Sequence, residues 1–151
     1  VTNKTGILLQ NRAGGFRIQP GHPNCIAPGK RPLHTIIPAL ATRNGRAVMP
    51  YGVMGGQYQP VGQTHVLTNM LDYGCDIQEA IDMPRGLHYE GVYQLEDSVP
   101  AEIVEGLKKI GHKTTSVVGP LGGGQGIWID WDKGTLTGGS DPRKDGCALG
   151  Y

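Results

Sequence analysis

Apolar residues fall along this chain in short runs broken by glycine and proline, and only three stretches carry the spacing of a helix. Gly6 to Gln10 (GILLQ) is a continuous apolar run, which predicts a buried strand ended by NRAGGF. Residues 19–32 (QPGHPNCIAPGKRP) hold too much proline and glycine for regular structure. A loop of that length in a compact domain is often functional. Two strand-like runs follow, HTIIPALAT and RAVMPYGV. They flank Asn44-Gly45, a pair suited to a type I′ hairpin because both central residues of that turn need positive φ. Pro38 and Pro50 lack a backbone donor, so each is expected at a bulge or an edge.

Pro60 to Tyr73 predicts a helix, with Val61, Val66, Leu67, Met70 and Leu71 on one apolar face and Gly74 as its C′ residue. Asp76 and Glu79 have the spacing of a capping box for a short helix, DIQEAIDM, which stops before Pro84. A third helix covers Pro100 to Ile110. Glu102 and Glu105 lie early, Lys108 and Lys109 late, and Gly111 follows, an order that suits the helix dipole. KTTSVVG, GIWIDW and GTLTGGS are extended, the last two joined around Asp132-Lys133-Gly134. Strands, then helices, then strands predict a layered α+β or α/β arrangement with antiparallel hairpins, not a doubly wound parallel sheet.

Glycine is the compositional outlier: 25 among 151 residues, about twice the usual share. They show no collagen-like period, so they mark tight turns and close backbone approaches, and they exclude an all-helical fold. The length fits one domain with a real core. The net charge of +1 comes from 14 scattered basic and 13 acidic residues, which argues against a nucleic-acid-binding surface. No apolar run reaches the length of a membrane span. The segment VTNKTGILLQ lacks the features of a signal peptide, and the compartment stays open between cytoplasm and periplasm. Cys25, Cys75 and Cys147 are too few and too far apart for a disulfide framework, so free thiols are expected. The five histidines show no HxxxH or HxH spacing, and nothing calls for a metal or an organic cofactor.

Few stretches suggest chemistry. No GxSxG elbow, P-loop or post-strand GxGxxG is present. Gly119 to Gly126 (GPLGGGQG) precedes an apolar strand and no helix, so it reads as a tight loop and not a phosphate cradle. Met54 to Gln57 (MGGQ) precedes a helix. Consecutive glycines let backbone N–H groups point outward, as an oxyanion hole requires. Taken locally, an ordinary strand-to-helix turn is the simpler reading. His34 and Thr35 are adjacent on an expected strand and so point to opposite faces, each suited to a structural hydrogen bond. Asp141-Pro142-Arg143 suggests a structural carboxylate–guanidinium contact in a turn.

In sequence order, GILLQN, PGKRPLHTIIP, NG, GVMGGQ, LDYGCDIQEAIDMPR, GLKKIGH and GGSDPRKDGCALGY together resemble the γ-glutamyltranspeptidase family, in the C-terminal part of its small subunit. The resemblance covers essentially the whole chain. It implies part of an αββα N-terminal-nucleophile hydrolase sandwich, antiparallel sheets with helices packed on them. It also implies acyl transfer through an acyl-enzyme on an N-terminal threonine exposed by self-cleavage. By the same resemblance, Gly55 and Gly56 donate to the oxyanion hole, which overturns the local reading. His34 and Thr35 replace two serines that bind the substrate carboxylate.

Two departures matter. The family's acidic residue for the substrate's α-amino group falls on Gly15, and a neighbouring polar position falls on Arg12. A buried α-ammonium without a carboxylate is costly, and arginine suits a carboxylate. The resemblance, so modified, implies a glutaryl-like acyl amide in preference to γ-glutamyl. The nucleophilic threonine should lie well upstream of GILL; Thr2 follows Val1, lacks a free α-amino group, and matches the loop before that strand. The chain is therefore expected to be a single domain or fragment without its nucleophile. Its expected partners are a large subunit, the upstream part of the small subunit and a small amide substrate. The alternative is a non-catalytic fragment or interaction module. Either way, incomplete sheets would expose strand edges.

Overall fold

Asn44 and Gly45 adopt φ of 51° and 77°, and strands β1 (Ala39–Arg43) and β2 (Arg46–Met54) pair across them with Arg43 opposite Arg46. This is the hairpin that the Asn-Gly pair predicts. The register shifts between Ala41 and Thr42. Pro38 precedes β1, and Pro50 lies on β2 just outside the span that pairs with strand β6 (Gly123–Asp130), where a missing N–H breaks no ladder bond on that side. The strand-like run HTIIPALAT thus shortens to its second half.

The computed structural model describes residues 2–151, in two compact units, Val1–Ile36 and Ile37–Tyr151. In the second unit, β1 and β2 join β6 (Gly123–Asp130) and β7 (Thr135–Ser140) in an antiparallel sheet of order β1-β2-β6-β7. Helices α1 (Gln59–Leu71) and α2 (Ile77–Asp82) pack on it. The capping box forms: Glu79 N–H donates to Asp76 Oδ1 at 2.9 Å, and Asp76 N–H donates to Glu79 Oε2 at 2.8 Å. The core gathers Met49, Val53, Tyr58, Val66, Ile77, Ala80, Ile81 and Leu87.

Glycine makes this core possible. A Cβ at Gly126 would stand 2.7 Å from Ile77, and one at Gly139 2.9 Å from Ile81, so α2 sits directly on the bare backbone of β6 and β7. The buried face of α1 is likewise built on a glycine. Gly62, Val66 and Asn69 are buried, whereas Val61 and Leu71 are exposed. The expected apolar stripe is therefore rotated, because Tyr58 and Val53 fill the space beside Gly62.

A second sheet, β3-β4-β5, was not anticipated in full. β3 (Gly86–Tyr89) and β4 (Val92–Leu95) form a hairpin around Glu90-Gly91, whose φ of 50° and 81° repeat the Asn44-Gly45 geometry. Glutamate is an uncommon residue at positive φ, which hides this turn in the sequence. Helix α3 (Ala101–Lys109) then leads to β5 (Thr114–Ser116), which pairs with β4 in parallel. The element order is therefore hairpin, two helices, hairpin, helix and three strands, in place of strands, helices, strands.

The first unit corrects another expectation. Gly6 to Gln10 forms no strand, and Ile7, Leu8 and Leu9 are 58%, 78% and 73% exposed. A strand needs a neighbour to accept its backbone hydrogen bonds; no strand among the described residues pairs with these. The unit instead holds a 3-10 turn, Arg12–Gly15, and a single bridge between Arg17 and Cys25. Asn24 ties it together, donating to Gly15 C=O at 2.6 Å and accepting from Leu33 N–H at 2.9 Å. Among the described residues no helix is long and apolar enough to cross a membrane.

Candidate active site

β2 ends where Met54 pairs with Gly123, and the chain then turns through Gly55 (φ 135°, ψ 29°) and Gly56 (φ 59°) into α1. Both glycines occupy the region that favours residues without Cβ. Their carbonyls are engaged: Tyr58 N–H donates to Gly55 C=O at 3.1 Å, and Gln59 Nε2 donates to Gly56 C=O at 3.2 Å. Neither glycine N–H is given to an acceptor among the described residues. Two adjacent amides left free by the described residues, at the entrance to a 13-residue helix, can donate to an anionic oxygen.

The turn rests on Gly122, at the glycine-rich stretch expected to be a tight loop. A Cβ on Gly55 would stand 2.8 Å from Gly122 Cα, and a Cβ on Gly122 would stand 2.3 Å from Met54 C=O. The Tyr58 ring fills the corner between Gly62 and Gly122. Beside them lies a cavity of about 480 Å³, lined among others by Met54, Gly55, Tyr58, Leu121, Gly122 and Lys144.

Behind the loop, buried charge converges. Arg85 and Asp141 are wholly buried and 2.6 Å apart. Arg143 reaches Glu96 at 2.8 Å and Asp141 at 3.4 Å, so the turn contact expected within Asp141-Pro142-Arg143 forms as part of a larger network. Burial raises the Asp141 pKa, but hydrogen bonds from Gly124 and Arg143 N–H and the charge of Arg85 outweigh it, and the net shift is downward. Burial lowers the Arg143 pKa, and the hydrogen bond and charge of Glu96 more than reverse it. Burial pushes the Tyr58 phenol up to about 12, so it stays neutral. The His65 imidazole is shifted down by burial and then by Arg85 and Arg143. Tyr58 Oη, His65 Nε2, Asn69 Nδ2 and Arg85 Nε are buried without a hydrogen-bond partner among the described residues.

In the first unit, Arg12 Nη1 donates to the Thr35 hydroxyl, which brings together two of the predicted substrate-binding residues. Gly15 C=O accepts from Asn24 Nδ2. Nothing lies within 4 Å of a Cβ built there, so the position admits a side chain and simply lacks one. His34 is exposed, and its imidazole makes no hydrogen bond among the described residues. The sequence did not single out Gly122, Tyr58, Arg85 or Glu96. The one available signal was the pairing of charged residues with glycine-rich and apolar neighbours, and this does not reveal which arginine is buried.

The gamma-glutamyltranspeptidase family model matches residues 1–151. A glutathione hydrolase-like proenzyme of Bacillus subtilis is 41% identical over 97% of the chain, and an oxamate amidohydrolase proenzyme of Klebsiella pneumoniae is 37% identical over 97%. The chain spans only 29% of either relative's length. Among solved structures, a cephalosporin acylase from Bacillus halodurans superposes with a TM-score of 0.83 at 43% identity, covering 92% of this chain and 26% of that one. A gamma-glutamyltranspeptidase from Pseudomonas nitroreducens gives 0.84 at 25% identity, covering 100% of this chain and 84% of that one. The mixed α+β architecture, antiparallel sheets with helices packed on them, matches these N-terminal-nucleophile hydrolases.

Proposed function

Because this chain belongs to the gamma-glutamyltranspeptidase family, we propose that it is a C-terminal segment of a small subunit in an amidohydrolase or acyltransferase. Its threonine nucleophile lies outside these residues, and a large subunit completes the enzyme. Gly55 and Gly56 donate their N–H groups to the oxyanion of the tetrahedral intermediate. The observation that carries this reading is the pair of positive-φ glycines with uncommitted amides. The threonine hydroxyl attacks the amide carbonyl, the amine leaves with a proton, and water or an amine takes the acyl group from the resulting ester.

Arg12 and Thr35 hold the acyl carboxylate, with the exposed His34 as a further donor. Gly15 offers no carboxylate to an α-ammonium, so the acyl group is dicarboxylic and amino-less. Support comes from the relative named an oxamate amidohydrolase, oxamate being an amide carboxylate without an amino group. The test is the complete protein's kcat/KM on glutaryl and γ-glutamyl anilides. Glutaryl should be preferred, and Gly15→Glu should shift the ratio toward γ-glutamyl by about tenfold, the scale of one charge-assisted contact. A wild-type preference for γ-glutamyl would refute the acyl assignment. Turnover by the 151-residue chain alone, abolished by Thr2→Ala, would refute the external nucleophile.

A further inference from the structure

The Met54–Gln57 turn rests on a loop whose backbone is bound at two points to buried charged side chains. Leu121 N–H donates to Glu96 Oε1 at 3.0 Å, and Leu121 C=O accepts from Arg85 Nη1 at 2.8 Å. Three residues on, Gly124 N–H donates to Asp141 Oδ2 at 2.6 Å, and Gly124 C=O accepts from Asp141 N–H at 3.0 Å. Both backbone polar groups of Leu121 and of Gly124 are therefore fixed. Between these grips lie Gly122, which touches Gly55 and Met54, and Gly123, which pairs with Met54.

Glu96 does more than neutralise an arginine. Its carboxylate also accepts from Arg85 N–H at 3.0 Å and from Arg143 Nε at 2.9 Å and Nη2 at 2.8 Å. Four donors saturate it, one of them on the loop beneath the glycine turn. A carboxylate so held has one position, and it fixes Leu121 in one position too. We propose that Glu96 is a positioning residue for the Gly55 and Gly56 amides, acting through Leu121 and Gly122, with Asp141 anchoring the far side of the same loop. The proposal rests on the reading of those amides as oxyanion donors. Donors of this kind must be held to a fraction of an ångström, because a displacement of about 1 Å costs on the order of a hundredfold in rate. Glycine turns cannot supply that stiffness from their own side chains.

The test uses the complete protein carrying Glu96→Gln, which keeps shape and an acceptor but removes the charge that saturates the network. Amide hydrogen exchange is followed in a peptide covering residues 54–58 and in a control peptide in α2. Turnover of glutaryl anilide is measured beside inhibition by a boronic acid with the same acyl chain, whose adduct places an oxygen where the oxyanion forms. Exchange at 54–58 should rise while α2 is unchanged. kcat should fall about tenfold to a hundredfold with KM within about twofold, and boronate affinity should fall in step with kcat/KM. Unchanged exchange at 54–58, or rate losses that only track the folded fraction, would overturn the proposal. If Glu96→Gln does not fold, Glu96→Asp gives the same readouts, since it keeps the charge but draws the acceptor back from Leu121. A wild-type protein that turns over neither anilide would defeat the acyl-transfer reading, and the exchange measurement would still decide whether Glu96 holds the turn.

Discussion

The units 1–36 and 37–151 both carry apolar runs broken by glycine and proline, and they behave differently. The first unit has no buried residue among those described, and its apolar run Ile7-Leu8-Leu9 faces solvent. The second buries Val53, Val66, Ile77 and Ile81 to within 3% exposure. The difference lies in partners. In the second unit each strand finds a neighbour, and bare glycine backbone lets α2 close on β6 and β7. In the first, local side-chain bonds centred on Asn24 take the place of a sheet. Hydrophobicity specifies a strand only where another strand receives it.

Breaking the second unit at its buried charge should have the largest effect. Asp141→Ala leaves Arg85 buried without its counter-ion and should cost about 3–5 kcal/mol in urea unfolding. A loss below about 1 kcal/mol would mean that water reaches the pair.

A paired glycine substitution sharpens the contrast. Gly122→Ala puts a Cβ 2.3 Å from Met54 C=O at φ +69° and should destabilise by about 1–3 kcal/mol. Gly15→Ala meets nothing within 4 Å and should stay within about 0.5 kcal/mol. Equal effects from the two would erase the distinction between the units.

What the sequence discloses follows the same division. Signals that act within a few residues were legible: the Asn44-Gly45 hairpin, the Asp76–Glu79 capping box and the end of α3 near Gly111. Long-range matters were not. Glu90-Gly91 hides its hairpin behind an unfavourable residue, and GILLQ reads as a strand whether or not it is paired. In the candidate site the glycine step stood out only through its family resemblance. Arg85, Glu96 and Asp141 lie 11 to 56 residues apart and meet only in three dimensions.

Acid should act on the second unit through His65. Burial and the nearby Arg85 and Arg143 charges hold its folded pKa below the ordinary histidine value, so the unfolded chain binds the proton first. Stability is therefore full above pH ~6.5 and falls as the pH drops below it, by under about 1 kcal/mol for a half-buried group. Asp141 adds a further loss only at lower pH, as its depressed carboxyl protonates. Urea midpoints at pH 7.5 and 5.5 should differ in the wild type and converge in His65→Gln; a midpoint that rises on acidification would reverse the sign assigned here.

The smallest expected effect bears most directly on why the two units differ. Leu8 is 78% exposed, so Leu8→Ser in the 151-residue chain should change urea stability by less than about 0.5 kcal/mol. It should also reduce self-association at high concentration, because it interrupts an exposed apolar run next to unpaired backbone. The same substitution in the complete protein asks whether GILLQ finds a strand partner beyond these residues. A loss there of about 2 kcal/mol or more would mean that Leu8 is buried by a partner supplied from elsewhere, the amount expected for removing a large apolar side chain from a core. An unchanged midpoint in both would mean that the apolar run stays exposed to solvent in the complete protein as well.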